Sequence, residues 1–371
     1  MKPLCRVCKT PLHRLLTLHN MPAMAQNFPD AAELSEDNVE DLKICECSMC
    51  GLVQLDTEPV KYYREVIRAV AFSEEMKRFR LGQFAEFVDT YQLSGKRMLE
   101  IGAGAGEYLD LMQAQGVETR GIEAGAAGET HPRIDKYYLE RGSSPLPDSP
   151  YDAFFCLNFL EHMPDPKGSL IAIHTSLKPN GIGLIEVPNF DMILEKKIFS
   201  EFIRDHLFYF TTRTLTTLLE QSGFEVLSCK PVWHDYSLSA TIKKRSLINL
   251  APLVDQKLKI KNSITSFIKG YSKKELAIWG AGHQALATVS MLKMNVNFGY
   301  VIDSAKYKQN KYTPGSHILI SPPSIIEKKK IKAILIIAGS YSDEVVESLK
   351  QNKNRNLKIG ILRSDWIEEV S

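Results

Sequence analysis

Residues 97–106 read Arg-Met-Leu-Glu-Ile-Gly-Ala-Gly-Ala-Gly, and this stretch decides the fold. Its apolar half, residues 98–101, predicts a short strand, and the apolar spacing after the glycines predicts a helix. The glycines between them occupy alternate positions, Gly102, Gly104 and Gly106. Glycine lets a ligand approach the backbone closely, and a helix N-terminus favours polar or anionic groups. The sequence therefore predicts an α/β fold that binds a nucleotide-like ligand at this turn.

Two acidic residues accompany the glycine turn. Glu100 stands two residues before the first glycine, and Glu123 follows a second predicted strand over residues 119–122. A carboxylate at that strand end can accept hydrogen bonds from both hydroxyls of a ribose. A dinucleotide and S-adenosylmethionine both fit this arrangement, so the turn alone leaves the two ligands open.

Two later blocks favour S-adenosylmethionine. Residues 152–166 read Asp-Ala-Phe-Phe-Cys-Leu-Asn-Phe-Leu-Glu-His-Met-Pro-Asp-Pro, and residues 177–186 read Leu-Lys-Pro-Asn-Gly-Ile-Gly-Leu-Ile-Glu. With the Glu-x-Gly-x-Gly-x-Gly turn, they resemble class I S-adenosylmethionine-dependent methyltransferases over roughly residues 80–230. The resemblance implies a Rossmann-like core that holds S-adenosyl-L-methionine through Glu100, Gly102, Gly104, Gly106, Glu123 and Asn158.

Composition bounds the remaining possibilities. A chain of 371 residues predicts two or three domains. Lys plus Arg number 46 against 44 for Asp plus Glu, so no net field favours nucleic acid or an anionic membrane. No apolar run approaches the roughly 18–20 residues that span a bilayer, and the N-terminus has no signal-peptide core. We expect a cytoplasmic monomer or homodimer without nucleic-acid or membrane partners.

Five of the seven cysteines lie in the first fifty residues. They include two C-x2-C pairs, Cys5/Cys8 and Cys47/Cys50, whereas Cys45 has the wrong spacing for a pair. Two such pairs complete a tetrahedral thiolate site with no open position, which is the pattern of a structural zinc. We therefore predict that these four residues bind Zn2+; free structural thiols are the alternative.

The N-terminal segment carries a narrower resemblance. The Cys-Arg-x-Cys start, residues 19–28 (His-Asn-Met-Pro-Ala-Met-Ala-Gln-Asn-Phe) and the Cys-x-x-Cys-Gly-Leu-Val-Gln-Leu run ending at Leu55 resemble the zinc-binding module of nucleotide-sugar C-methyltransferases of deoxysugar biosynthesis. This resemblance implies three parts. They are a zinc-binding module over residues 1–60, a methyltransferase core over 61–245, and a linker helix with a Rossmann-like substrate-binding domain over 246–371.

The family resemblance also names catalytic candidates. Residues 199–211, Phe-Ser-Glu-Phe-Ile-Arg-Asp-His-Leu-Phe-Tyr-Phe-Thr, resemble the family's substrate-side segment, in which an acidic residue and a histidine fall on Asp205 and His206. Carbon methylation beside a ketone needs a base to remove a proton, and histidine is suited to it. We assign His206 as that base; the alternative is that it caps a helix predicted over 212–223. His162 follows the predicted strand 153–157 and either contacts substrate or caps a loop.

The chain departs from the family where the substrate would bind. The family's Tyr-His-Glu-His becomes Ile-Arg-Asp-His, which adds Arg204, a residue type that binds phosphate or carboxylate. His234 stands where the family has a His-Gly-Gly-Ser-Leu segment and is a further substrate candidate. Because the family tyrosine is missing, the acceptor atom of the methyl group stays open between carbon, oxygen and nitrogen.

The C-terminal part repeats the strand–glycine–helix pattern. Residues 276–285 read Leu-Ala-Ile-Trp-Gly-Ala-Gly-His-Gln-Ala, with further strands predicted at 300–303, 333–338 and 359–363. Alone, this pattern would indicate NAD, but residues 306–317 resemble a family loop from the domain that helps to hold the nucleotide-sugar. The resemblance implies diphosphate or sugar contacts from Gly280, Gly282 and His283; a ligand-free unit is the alternative.

The sequence alone leaves three candidate functions. The first is S-adenosylmethionine-dependent carbon methylation of a nucleotide-linked 4-keto sugar. The second is transfer to oxygen or nitrogen of a related acceptor. The third is a cofactor-binding scaffold without turnover, which the glycine turn and the Asp205–His206 pair argue against.

Overall fold

The computed structural model describes residues 3–25, 28–35, 37–60, 73–125, 131–143, 145–350 and 357–370. The chain separates into two compact units, Met1–Leu247 and Ile248–Ser371. Among the described residues, none of the helices combines the length and the apolar character that crossing a bilayer requires.

The first unit begins with a small antiparallel sheet. Its strands are β1 (Leu12–Pro22), β2 (Val39–Cys47) and β3 (Val53–Leu55), joined at the edge by the two-residue strand Phe208–Tyr209. Val53 pairs with Tyr209 and Gln54 with Phe208. A segment more than 150 residues away in sequence thus completes the N-terminal sheet.

The rest of the first unit is a seven-stranded sheet flanked by helices. In chain order the elements are α1 (Glu74–Thr90), β4 (Arg97–Ile101), α2 (Glu107–Gln113), β5 (Glu118–Glu123), β6 (Ile134–Lys136), β7 (Tyr151–Leu157), α3 (Pro166–Thr175), β8 (Leu177–Pro188), α4 (Phe190–Lys196), β9 (Phe208–Tyr209), α5 (Thr212–Gln221), β10 (Phe224–Val232) and β11 (Ser237–Lys244). The strand order is β10-β11-β8-β7-β4-β5-β6, and β11 runs antiparallel to β8. The order reverses beside β4, where ligands bind in open sheets of this kind.

The local predictions for this unit hold with shifted boundaries. The strands expected at 98–101, 119–122 and 153–157 are confirmed as β4, β5 and β7. Helix α1 begins at Glu74, where Ser73 accepts the Met76 N–H as a cap. Its inward face carries Met76, Arg80, Phe84, Phe87 and Val88.

The helix after β9 tests whether His206 is a helix cap. α5 is capped by Thr211, which forms a capping box with Thr214. The interpretation of His206 as the cap of this helix is therefore wrong, because the capping position is already filled by a residue five places further on.

The second unit is a six-stranded sheet with its own core. Its elements are α6 (Ala251–Phe267), β12 (Leu276–Trp279), α7 (His283–Leu292), β13 (Tyr300–Ile302), β14 (Ile320–Ser321), α8 (Ile325–Lys328), β15 (Ala333–Ile336), α9 (Ser342–Lys350), β16 (Lys358–Leu362) and β17 (Ile367–Val370). The order is β14-β13-β12-β15-β16-β17, parallel except for β17. Ile278 packs on one face and Trp279 on the other, as in a parallel sheet buried on both sides.

Candidate active site

The glycine turn between β4 and α2 has a backbone that only glycine adopts easily. Gly102, Gly104 and Gly106 have φ angles of 73°, 55° and 94°. A Cβ at Gly102 would stand 2.6 Å from the ring of Phe159, and one at Gly106 would stand 2.8 Å from the ring of His131. The turn therefore brings its backbone against two rings with no room for a side chain.

Glu123 at the end of β5 is tied to the glycine turn. One carboxylate oxygen accepts the Gly104 N–H at 2.9 Å, and the other accepts the Gly125 N–H at 2.9 Å. Its side chain thus stands where an acidic residue holds a ribose in this type of fold. Glu100 is buried within β4, beneath the turn.

A narrow pocket opens beside the turn. It is lined by Ile101, Gly102, Ile122, Ala124, Tyr137, Tyr138, Leu139, Phe159, His162, Met163 and Pro164. The cavity joins the glycine turn to His162, whereas Asn158 contributes its backbone N–H to the Glu186 carbonyl at 2.8 Å.

Glu161, His162 and His206 form a cluster at one wall of this region. One carboxylate oxygen of Glu161 and one ring nitrogen of each histidine all lie within 4.8 Å of one another. Glu161 and His162 share the 3-10 turn Leu160–His162 directly after β7, and His206 reaches them from the segment before β9. The two imidazole rings meet edge to face, with centroids 4.8 Å apart.

The three residues of this cluster differ in their exposure to solvent. Glu161 is 1% exposed and His162 is 6% exposed, while His206 is only partly buried. His162 donates its Nδ1–H to the backbone carbonyl of Asp205 at 3.0 Å, which fixes the tautomer. His206 is thus the member of the cluster that a substrate can reach most easily.

Burial dominates the protonation of the cluster. It raises the pKa of Glu161 to about 8 and lowers the pKa of His162 to about 4. Burial, with a smaller contribution from His162, holds the pKa of His206 well below its usual range. Both histidines are therefore neutral at physiological pH.

The residues before His206 face the N-terminal sheet. The Asp205 carboxylate accepts the Ala25 N–H at 3.0 Å, and Arg204 forms an ion pair with Glu40. Arg204 is only 8% exposed. The Arg204 charge is therefore already paired with a carboxylate of the N-terminal sheet, and the Asp205 carboxylate is engaged by the same part of the chain.

His234, the other substrate candidate of the first unit, lies in a hairpin turn. His234 is largely exposed, and its Nε2 lies 3.3 Å from Glu75 at the start of α1. It occupies the middle of three consecutive residues with positive φ, Trp233, His234 and Asp235. The histidine therefore belongs to a tight hairpin turn, and its contact is with α1.

The glycines of the second unit have different environments. A Cβ at Gly280 would stand 2.6 Å from the Ile337 carbonyl oxygen, so packing explains this glycine. Gly282, which precedes α7 and His283, has nothing within 4 Å of such a Cβ. Asp303, where a dinucleotide ribose would bind, is engaged by the Ala281 N–H at 2.9 Å and by Lys308 at 2.9 Å.

The four predicted zinc ligands come together. The sulfurs of Cys5 and Cys50 lie 3.7 Å apart, those of Cys8 and Cys47 3.3 Å apart, and those of Cys8 and Cys50 3.9 Å apart. Zinc–sulfur bonds of about 2.3 Å in a tetrahedron separate the sulfurs by about 3.8 Å. The spacing of the thiols therefore fits a zinc ion.

The two cysteine loops share one backbone pattern. Lys9 donates its N–H to the Cys5 carbonyl, as Gly51 does to the Cys47 carbonyl, and both have positive φ angles of 62° and 72°. Two identical loops that present four thiols to one point form a closed site with no free ligand position.

Glu161 is the site residue that the sequence interpretation missed. The Glu-His dipeptide directly after a continuous apolar strand was the available signal. Its meaning depended on His206, which is more than 40 residues away in sequence.

Two families of known domains match this chain, and together they cover most of it. Residues 72–229 match the family described as "Methyltransferase domain", and residues 246–361 match the "C-methyltransferase C-terminal domain". The C-methyltransferase NovU of Streptomyces niveus is 22% identical over 301 residues, covering 69% of this chain and 70% of its own.

Other relatives match the methyltransferase part alone. The ubiquinone biosynthesis O-methyltransferase of Aeromonas salmonicida is 34% identical over 110 residues, 26% of this chain and 45% of its own length. A probable S-adenosylmethionine-dependent methyltransferase of Mycolicibacterium smegmatis is 29% identical, over 40% of this chain and 60% of its own. The matched parts of this chain span from 45% to 70% of the length of these relatives, and the chain carries a methyltransferase domain and a C-methyltransferase C-terminal domain.

Proposed function

We propose that this protein transfers a methyl group from S-adenosylmethionine to the carbon beside the 4-keto group of a nucleotide-linked deoxysugar. Two matched domains support the assignment, since a methyltransferase domain and a C-methyltransferase C-terminal domain occur in one chain. The similarity to NovU extends over both. The observation that carries the chemistry is a partly exposed His206 packed against His162 beside the glycine-turn cavity.

The glycine turn and Glu123 fit the cofactor. The Gly102–Gly106 backbone would lie against it, and the Glu123 carboxylate at the end of β5 would accept from its ribose hydroxyls. When bound, S-adenosylmethionine supplies the methyl group and leaves as S-adenosylhomocysteine.

His206 would act as the general base. As a neutral imidazole it accepts the proton from the carbon beside the ketone, and the pair of electrons of that C–H bond remains on the substrate as an enolate. His162 holds the His206 ring in place, because its own Nδ1 is fixed by the Asp205 carbonyl.

The N-terminal module would bind one structural zinc through Cys5, Cys8, Cys47 and Cys50. The fit of the sulfur spacing supports this assignment. The ion would cross-link two loops of a segment that has little core of its own. Since Asp205 and Arg204 contact this module, the ion would indirectly support the segment that carries His206.

Product analysis tests the proposed function. The protein is incubated with S-adenosylmethionine and a panel of nucleotide 4-keto-sugars, and products are identified by mass spectrometry and NMR. We expect a methyl group bonded to carbon, and a loss of product of at least about a hundredfold in His206→Asn, as for removal of a general base. Absence of any methylated sugar would contradict the assignment.

Transfer to oxygen or nitrogen is the second candidate. It is favoured by the O-methyltransferases among the relatives and by the missing family tyrosine. These acceptors need only a weak base, so the product would carry an O- or N-methyl group and His206→Asn would retain most of the rate.

A further inference from the structure

We propose that Glu161 is a positioning residue that acts through His206: its buried carboxylate, once ionised, stabilises the positive charge that His206 acquires with the substrate proton. The inference rests on the proposed function, because it concerns the same proton transfer. It assigns a role to a residue that neither the sequence interpretation nor the comparisons single out.

The Glu161 carboxylate lies close to both imidazole rings. The side chain is 1% exposed, and neither carboxylate oxygen accepts a hydrogen bond from another described residue. One oxygen lies 3.9 Å from His162 Nε2, and the carboxylate lies within 4.8 Å of both histidines. A buried carboxylate with no hydrogen bond from another residue is costly to ionise, so a nearby group that can gain a proton favours its ionised form.

No fixed cation neutralises this carboxylate within the part of the chain that the structure describes. The titratable groups around it are His162 on the same turn, His206 before β9, Cys156 on β7 and Tyr236 beside β11. The carboxylates of Glu100 and Glu201 face the same Cys156 and Tyr236 and add negative charge. Burial is the main reason that the pKa values of Cys156 and Tyr236 are raised, and the Glu161 charge adds to it. The histidines are therefore the groups that can respond to ionisation of Glu161 by gaining a proton.

His206 needs such a partner to act as a base. Burial and His162 hold its pKa well below the usual range, so the isolated imidazole binds a proton weakly. A negative charge within a few ångströms favours the protonated form of an imidazole. A buried carboxylate also stabilises the imidazolium of hydrolase triads, through a hydrogen bond; here Glu161 would act through its charge, from within 4.8 Å.

The proton balance defines the active form. With Glu161 ionised, the cluster carries one negative charge; the substrate proton moves to an imidazole nitrogen of His206, the C–H electron pair stays on the substrate, and the cluster becomes neutral. With Glu161 protonated, the same transfer would leave a net positive charge in a buried site. Since burial raises the pKa of Glu161 to about 8, proton removal should accelerate as pH rises through about 8.

Exchange of the substrate carbon proton for deuterium measures this step without methyl transfer. Wild type, Glu161→Gln, Glu161→Asp and the exposed control Glu220→Gln are compared across pH in deuterated water, with melting temperatures as a check on folding. We expect the exchange rate of Glu161→Gln to fall at least about tenfold and to lose the rise near pH 8. Glu161→Asp should restore part of the rise, and Glu220→Gln should match wild type. Wild-type exchange and an unchanged pH profile in Glu161→Gln would overturn the inference.

Histidine NMR gives a readout that needs no substrate. With labelled histidines, the His162 and His206 resonances should shift through a midpoint near pH 8 in wild type and show no such step in Glu161→Gln. If the step appears but no keto-sugar exchanges, the proposed function fails while the coupling of Glu161 to His206 stands. If exchange proceeds and the step persists in Glu161→Gln, the coupling is overturned while the function stands.

Discussion

Single residues at the carboxyl edge of the large sheet hold helix α1 in place. Arg80 of α1 and Glu186 of β8 are 1% and 0% exposed and form an ion pair of 2.5 Å. Gln83 donates to Glu186 and accepts from Arg80 at 2.7 Å. The Arg80 guanidinium also lies over the Tyr108 ring of α2, 5.2 Å from its centroid. This network connects α1 to the helix that follows the glycine turn.

Breaking this network should destabilise the fold strongly. Glu186→Gln leaves the Arg80 charge buried without its counter-charge, which costs about 3–5 kcal/mol. The measurement is the free energy of unfolding in denaturant, with exposed Glu195→Gln on α4 as the control. A loss below about 0.5 kcal/mol, the range of ordinary surface changes, would show that the pair contributes little.

Two glycines should respond to alanine in opposite directions. Gly102→Ala combines a positive φ with a Cβ 2.6 Å from Phe159, so it should destabilise the turn and weaken S-adenosylmethionine binding at least about tenfold. Gly82→Ala on α1 meets no atom within 4 Å and should stabilise by about 0.5–1 kcal/mol. Calorimetric binding and melting curves check both; equal behaviour of the two variants would contradict this explanation of the turn.

At the scale of elements, the central feature is strand β9 with the segment before it. Its pairing with β3, the Ala25–Asp205 hydrogen bond and the Arg204–Glu40 ion pair attach the His206 segment to the N-terminal module. The Leu207 N–H donates to the Glu161 carbonyl at 2.9 Å on the other side. The segment therefore lies between the cysteine module and the turn after β7.

Loss of the proposed zinc should disturb the position of His206, because the His206 segment is attached to the N-terminal module. Cys47→Ser should remove most of the bound zinc, lower the melting temperature by more than about 5 °C and slow substrate deuterium exchange. Cys45→Ser, two residues away but outside the ligand set, should retain one zinc per chain. Metal content by mass spectrometry and melting curves provide the comparison; equal zinc content in the two variants would refute the ligand assignment.

Sequence patterns predicted the helices and strands better than they predicted which distant residues come into contact. The apolar runs of β7 and β12 were recognisable because a strand buried on both faces is continuously apolar. The contact of Ala25 with Asp205 joins residues 180 positions apart, and that of Glu161 with His206 depends on the path between two strands. Such pairs depend on tertiary placement, which local periodicity does not encode.

At the scale of the whole molecule, the buried cluster couples stability to pH. The pKa of Glu161 is raised in the folded state to about 8 from 4.5, so the folded state binds more protons than the unfolded state between these values. Its contribution to stability is present at low pH and is lost as pH rises through about 8. The histidines act in the opposite direction, because their lowered pKa values cost stability only below about pH 6.5.

The pH dependence of unfolding should therefore change in Glu161→Gln. Between pH 6.5 and 8 wild type should lose up to ~2 kcal/mol relative to this variant, since one pKa unit corresponds to about 1.4 kcal/mol. Denaturant unfolding at both pH values, referred to Glu220→Gln, measures the difference. Parallel curves for wild type and Glu161→Gln would contradict the raised pKa of Glu161.

The central claim is that His206 removes a proton from carbon. The most direct test is solvent deuterium exchange into the nucleotide 4-keto-sugar in the absence of S-adenosylmethionine, followed by mass spectrometry, for wild type and His206→Asn. The account predicts rapid incorporation of one deuterium beside the ketone in wild type and a loss of at least about a hundredfold in the variant, with an unchanged melting temperature. Equal incorporation by both proteins would contradict the role of His206, and methylation without any exchange would move the reaction from carbon to oxygen or nitrogen.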